Sequence, residues 1–259
     1  MFNLPQETQE YIDWFLNLSS MFATDRTRFQ KILRKAEVLL PHDQHFDVFR
    51  PASFYGSLLR QPRKAFIALY NPGSVSTDVE QEQHLRNTMT DAQQLEYFSN
   101  RFQIAEENQE NIKVFKFANH IISTVYDHPD PGNYRSLHDH ALIADFVPFY
   151  TPTTNFNFNL RSAITQEYWQ RLLNLCVGVQ PDFMLLTGAA YRKLFESLTS
   201  NTTPIAIAFN DKISLHVKRI TFKDNELTIL FLDKFLSTRN GYSHDILRNI
   251  GIWIRNNIF

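Results

Sequence analysis

The sequence predicts an α/β fold: a central, mostly parallel four-stranded sheet flanked by helices on both faces, with extra helices at the amino end. Three observations predict it. The first is a set of short apolar runs, "KAFIALY" (64–70), "ALIADFVPF" (141–149) and "PDFMLLTG" (181–188), which lack polar alternation. Such runs belong to strands covered on both faces. The second is helical periodicity between the runs, because parallel strands need long crossovers, usually helical. The third is an abrupt stop at the end of each run in a Gly-, Pro- or Asn-containing loop.

The elements follow in order. Residues 6–21 and 25–39 place apolar side chains at helical spacing (Tyr11, Trp14, Phe15, Leu18; then Phe29, Ile32, Leu33, Ala36). Asp25 is the predicted cap of the second helix. "FRPASFYGSLL" (49–59) reads as a loop broken by Pro51 and Gly56. After the strand at 64–70, residues 91–126 read as two amphipathic helices parted near Glu106–Asn108. Residues 128–136 read as a loop, 141–149 as a strand and 150–159 as a polar, aromatic loop. A helix is expected over 165–178, then the strand at 181–188, then a helix from Gly188 to about Leu198. Strands at 213–222 and 227–232 flank the turn Lys223-Asp224-Asn225, and a last helix over 243–258 is capped by Ser243. No repeat or linker interrupts the chain. It is expected to be one domain over 1–259, with a helical extension (1–60) on an α/β core (61–259).

Composition narrows the function classes. The chain has 259 residues, 43% of them hydrophobic and 20% charged, with a formal net charge of -1. That is ordinary for a packed globular protein. Without a global basic field, nucleic-acid binding would have to rely on a local patch. Cys176 is the single cysteine, which excludes an internal disulfide and a four-cysteine metal site. A single cysteine fits a reducing cytoplasm, and the protein is expected to be a monomer. The amino end is too polar for a secretory signal. No apolar run approaches the roughly 20 residues that span a bilayer. No cofactor is expected.

In a parallel sheet the strands end along one edge, where ligands of open α/β sheets bind. The loops that meet there are Asn71-Pro72-Gly73-Ser74, Pro148-Phe149-Tyr150-Thr151-Pro152, Thr187-Gly188 and the segment 233–241, "DKFLSTRNG". Any one alone reads as a connecting turn. Four polar or Gly/Pro-rich loops on one edge make a cleft.

In this order, "FIALYNPGS", "ALIADFVPF", "PDFMLLTGAAYRKLF" and "LTILFLDKFLSTRNGYSH" resemble the uracil-DNA glycosylase superfamily over residues 64–257. The resemblance implies DNA as partner, an extruded base and hydrolysis of its N-glycosidic bond. It also implies a role for each loop. Asn71 would position the attacking water. The acid at the end of the second strand, Asp145, would read the base. The last loop would wedge into DNA. Ser74, Gly188, Ser237, Arg239 and Gly241 would lie against the DNA backbone. The chain departs from the pattern twice. Leu69 stands where a glycine is usual, and Phe235 stands where the wedge loop carries a histidine, with His244 seven residues beyond the aligned Ser237. Lys234, with Arg239, is the candidate replacement, placing positive charge near the departing base anion.

The chemistry can be built from these residues. A neutral Asn71 amide can hold a water but cannot take its proton, so the departing base must supply the driving force. The plainer reading of Asn71 is a turn residue. Phe54, Tyr55, Tyr70, Phe149 and Tyr150 are stacking candidates for a flipped base, though such rings are commonly core. Asp145 bears on base identity. An ionised carboxylate only accepts hydrogen bonds, which favours the amino group of a cytosine-type base over uracil. To spare ordinary cytosine, the pocket would require a C5 substituent. The hydroxyls and amides of 150–159 (Thr151, Thr153, Thr154, Asn155, Asn157) suit a sugar-like adduct such as modified phage DNA carries, hence a defence role. The plainer reading of Asp145 is a paired acid at a strand end. Three alternatives stand beside this: a uracil or mismatch repair glycosylase; a DNA-binding module of the same fold without catalysis; and a metal hydrolase using His138-Asp139-His140 on an extended segment, with His128.

Overall fold

The structure, a computed structural model, describes residues 4–25, 27, 28, 31, 54–58, 64–69, 88–128, 133–146 and 163–259. In chain order these form α1 (Gln6–Thr24), β1 (Phe54–Tyr55), β2 (Ala65–Leu69), α2 (Asp91–Ser99), α3 (Arg101–Glu107), α4 (Lys113–Val125), α5 (Arg135–His140) and β3 (Ala141–Asp145). They continue with α6 (Ala163–Val179), β4 (Phe183–Thr187), α7 (Arg192–Ser197), β5 (Ile205–Asn210), β6 (Ile213–Phe222), β7 (Asn225–Leu232) and α8 (His244–Ile258).

The α/β class holds, but the sheet is larger and more mixed than the sequence predicts. It has seven strands in the order β1-β3-β2-β4-β7-β6-β5. Four of the five strands read from the sequence form its parallel centre, β3-β2-β4-β7. At one side β6 and β5 add antiparallel strands. At the other, β1 pairs antiparallel with β3 through Phe54 and Ala144. The expectation of four mostly parallel strands is therefore corrected. The 213–222 segment does form a strand, but its tight turn returns it antiparallel onto β7. Lys223 and Asp224 both have positive φ (47° and 60°), the backbone of a two-residue hairpin turn. Strands β1 and β5 are absent from the reading of the sequence altogether. Strand β1 is two residues beside breakers, and β5 buries neither face, so neither carries the signature of a core strand.

Helices cover both faces, as expected. Along β2, Phe66 and Ala68 face a core shared with Tyr11, Phe15 and Leu18 of α1 and Trp169, Leu172 and Cys176 of α6. The alternate residues Ala65, Ile67 and Leu69 face a second core with α4 and α8. Helix α1 thus packs into the sheet's own core. The two helices expected over 91–126 are three, because the chain also breaks at Asn100. Part of the expected loop 128–136 lies in α5. The cap read at Ser243 is made, its Oγ accepting from the Ile246 amide (3.3 Å); Asp25 Oδ1 accepts from the Arg28 amide (3.0 Å), while most of the helix expected over 25–39 lies outside the described residues. Among the described residues no helix is long and apolar enough to cross a membrane.

Candidate functional site

The carboxyl ends of the parallel strands lie side by side. Leu69 of β2 is in register with Asp145 of β3, and Thr187 of β4 with Leu232 of β7. The backbone of this row is closed. The Leu69 carbonyl accepts from the Phe146 amide (2.7 Å) and the Tyr191 hydroxyl (2.7 Å). The Leu232 carbonyl accepts from the Gly188 amide (2.9 Å). With both lone pairs of its carbonyl engaged, Leu69 fixes the carboxyl end of β2.

The side chains of the row are not closed. Asp145 is 4% exposed, and neither of its oxygens has a hydrogen-bond partner. Among the described residues it is the one carboxylate buried with both oxygens unpaired. Burial alone holds its carboxyl well above the usual carboxylate range. Tyr11 of α1 feels the acid: its phenol is pushed up, first by burial and then by the Asp145 charge. The Thr187 hydroxyl is also buried without a partner, as are those of Thr8 and Ser136 elsewhere, so Thr187 by itself carries little.

Next to this row stands the loop after β7. Its interior is tied down by local bonds. Asn240 donates to the Phe235 carbonyl (2.7 Å), the Tyr242 hydroxyl donates to the Lys234 carbonyl (3.1 Å), and Leu236 is buried as an anchor. Three side chains remain outward: Lys234, Arg239 and the 38%-exposed Phe235. Gly188 (φ 107°) begins the turn after β4, and a Cβ there would lie 3.9 Å from Phe235 Cβ. A side chain would fit in that space, so it is the positive φ of the turn that calls for glycine. Gly241 (φ 91°) closes the loop, and Ser237 accepts from the Asn240 amide through its carbonyl (3.1 Å). Arg192, at the start of α7, is paired with Asp233 (2.5 Å).

Of the residues the sequence singled out, Asp145, Lys234, Gly188, Ser237, Arg239 and Gly241 therefore stand at the carboxyl edge. Phe54 does not. It is fully enclosed, edge-on to Tyr11, Phe15 and Phe98, with no face open to a base. Tyr55 is likewise buried, against Phe115. Tyr70, Asn71, Ser74, Phe149, Tyr150 and the loop 150–159 lie outside the described residues. His244 opens α8 and stacks on His120 of α4 (4.2 Å); burial and then the His244 charge lower the His120 pKa.

The metal alternative loses its geometry. His138 and His140 are on helix α5, not on an extended segment. There, residues two apart point to different sides. No group of three or more ligating side chains could hold a metal among the described residues. An open cleft of about 410 Å³ lined by Gln103, Glu106, Glu107, Arg135, His138 and Asp139 lies between α3 and α5. That is the opposite end of β3 from Asp145. Two features of the edge are not legible in sequence as site features: the double acceptance at Leu69 and the pinning of the loop 233–241 by Tyr242. No family model matches this chain, and no curated protein is detectably similar to it.

Proposed function

We propose that this protein is a DNA glycosylase that draws a single base out of the stack and hydrolyses its N-glycosidic bond. The observation that carries the reading is Asp145. It is a buried acid with two unpaired oxygens, at the carboxyl end of a parallel strand, one strand from the start of Asn71-Pro72-Gly73. A polar group left so is expensive and calls for a polar partner from outside the fold, such as the edge of a base. The loop 233–241 adds a rigid mount for an exposed ring between two cations, the chemistry that stacks on bases and meets phosphates.

In the reaction a water held by Asn71 adds to C1′ of the sugar as the C1′–N bond breaks. The bonding pair leaves with the base nitrogen. The proton lost by the water passes to solvent or to the leaving base, since the amide cannot hold it. Lys234 and Arg239 supply positive charge where the phosphates and the developing base anion need it. The substrate candidate is a C5-modified cytosine of foreign DNA.

The test is incubation with a panel of defined DNAs carrying uracil, mismatched or C5-modified bases, with released base read by mass spectrometry. Release of one free base and an alkali-labile site, both lost in Asn71→Ala, is the expected result. DNA binding with no release from any member supports the binding module instead.

A further inference from the structure

The glycosylase reading treats Asp145 as the group that meets the base; the inference here rests on that reading and concerns the form in which the acid does so. Among the described residues, nothing around Asp145 holds an anion. Both oxygens lack a donor, and the residue is 4% exposed. The nearby polar groups are used or offer no cation. The Tyr191 hydroxyl is given to the Leu69 carbonyl. The Phe146 amide goes to the same carbonyl. From α1 the titratable group is Tyr11, itself buried. From α6, Tyr168 is buried, and Arg171 pairs with Glu167 (2.8 Å) while stacking over Trp14 (4.9 Å). An ionised carboxylate normally gathers two or three donors or a cation, and none of these is in place.

We propose that Asp145 meets the base as a neutral carboxylic acid, donating one hydrogen bond through its O–H and accepting one through its C=O. The consequence for substrate class is direct. A carboxylate only accepts, but a neutral acid presents one donor and one acceptor. That pair fits the N3–H and O4 of a uracil-type base. Exchanging the two oxygens fits the N3 and N4 amine of a cytosine-type base equally well. The carboxylate argument against uracil therefore lapses, and selection between pyrimidines falls to contacts at C5 and beyond. The raised pKa that burial imposes agrees with this picture.

Two measurements test it. The first is a carbon NMR titration of the Asp145 carboxyl in the wild-type chain, assigned by its loss in Asp145→Asn. It is repeated with oligonucleotides carrying one uracil or one 5-hydroxymethylcytosine. A protonated signal at pH 7 that responds to both oligonucleotides is expected. Titration near the ordinary aspartate value of about 3.9, or no response to either DNA, overturns the proposal. The second is base release by Asp145→Asn, whose amide also offers one donor and one acceptor. The readout is the shape of the pH profile: wild-type release should decline at high pH as the acid ionises, whereas the amide variant, which has no proton to lose there, should show no such decline. The same high-pH decline in the variant as in the wild type overturns the proposal. If the NMR result is as expected but no base is released from any DNA, the glycosylase chemistry fails and the neutral acid stands.

Discussion

The two ends of the parallel sheet treat buried charge in opposite ways. At the amino end, Lys64 is fully buried beside β2, yet its ammonium reaches the Ser57 carbonyl (2.6 Å). Nearby, Asp182 accepts from the Tyr126 hydroxyl (3.1 Å). In the antiparallel wing, buried Lys218 gives its three protons to the carbonyls of Phe195, Glu196 and Leu198 at the end of α7. At the carboxyl end Asp145 has nothing. Each unpaired buried polar group costs about 1–3 kcal/mol. A fold that satisfies its buried lysines has the means to satisfy an aspartate. On the proposed function, the difference assigns the carboxyl edge to an arriving partner and the amino edge to structure.

The largest expected effect would break the contrast at its functional end. Asn71→Ala should slow base release by about a hundredfold or more in single-turnover assays, the scale of a misplaced reactant, with DNA binding largely kept. An unchanged rate would remove Asn71 from the chemistry. Phe235→Ala comes next. Its ring is exposed, so melting should be unaffected, while affinity for DNA with an extruded base should fall by about 1–3 kcal/mol, or roughly 5–150-fold. A variant that melts early but binds normally would make Phe235 structural.

At the amino end the signs reverse. Lys64→Met removes the donor to the Ser57 carbonyl and should destabilise by about 1–3 kcal/mol, lowering Tm by roughly 2–4 °C per kcal/mol, without changing DNA affinity. Wild-type stability in this variant would erase the distinction between the two ends. Lys234→Ala and Arg239→Ala are smaller still: each should reduce the salt dependence of binding by about one unit of log–log slope, as titration at several salt concentrations will show.

The finest effect sharpens the comparison through pH. Burial holds Asp145 above its ordinary value, so the fold favours the protonated form. Its contribution is whole below the unfolded-state value of about 3.9. It drains away as pH rises from there through the folded-state value. Buried Lys64 is pulled down to about 8, and its proton contact persists below that. Between pH 4 and 7 the wild type should therefore lose more Tm than Asp145→Asn does. Parallel melting profiles for the two would mean that Asp145 is not held neutral by the fold.

Much of the fold was legible because burial on both sheet faces leaves a plain mark. Each apolar run, at 64–70, 141–149 and 181–188, contains a strand in the parallel centre. The turn at Lys223-Asp224 was legible as well. Strand β5 was not, since an edge strand with exposed Ile205 owes its existence to the free edge of β6. Placement at the carboxyl edge was legible at Asp145, Lys234 and Arg239, where polar residues follow apolar runs. It failed at Phe54, because an aromatic in a loop-like segment reads the same whether it is open or enclosed by three other rings.

By itself, then, the sequence determined the α/β class, the four central strands and the polar types at their ends, since periodicity and turn chemistry act over a few neighbours. Only the tertiary structure decided the antiparallel wing, the helical setting of His138-Asp139-His140, and the absence of any partner for Asp145. Those depend on which surfaces meet across the chain. Whether a buried carboxyl is an anion or an acid is settled by neighbours from other elements, and no local stretch of residues records them.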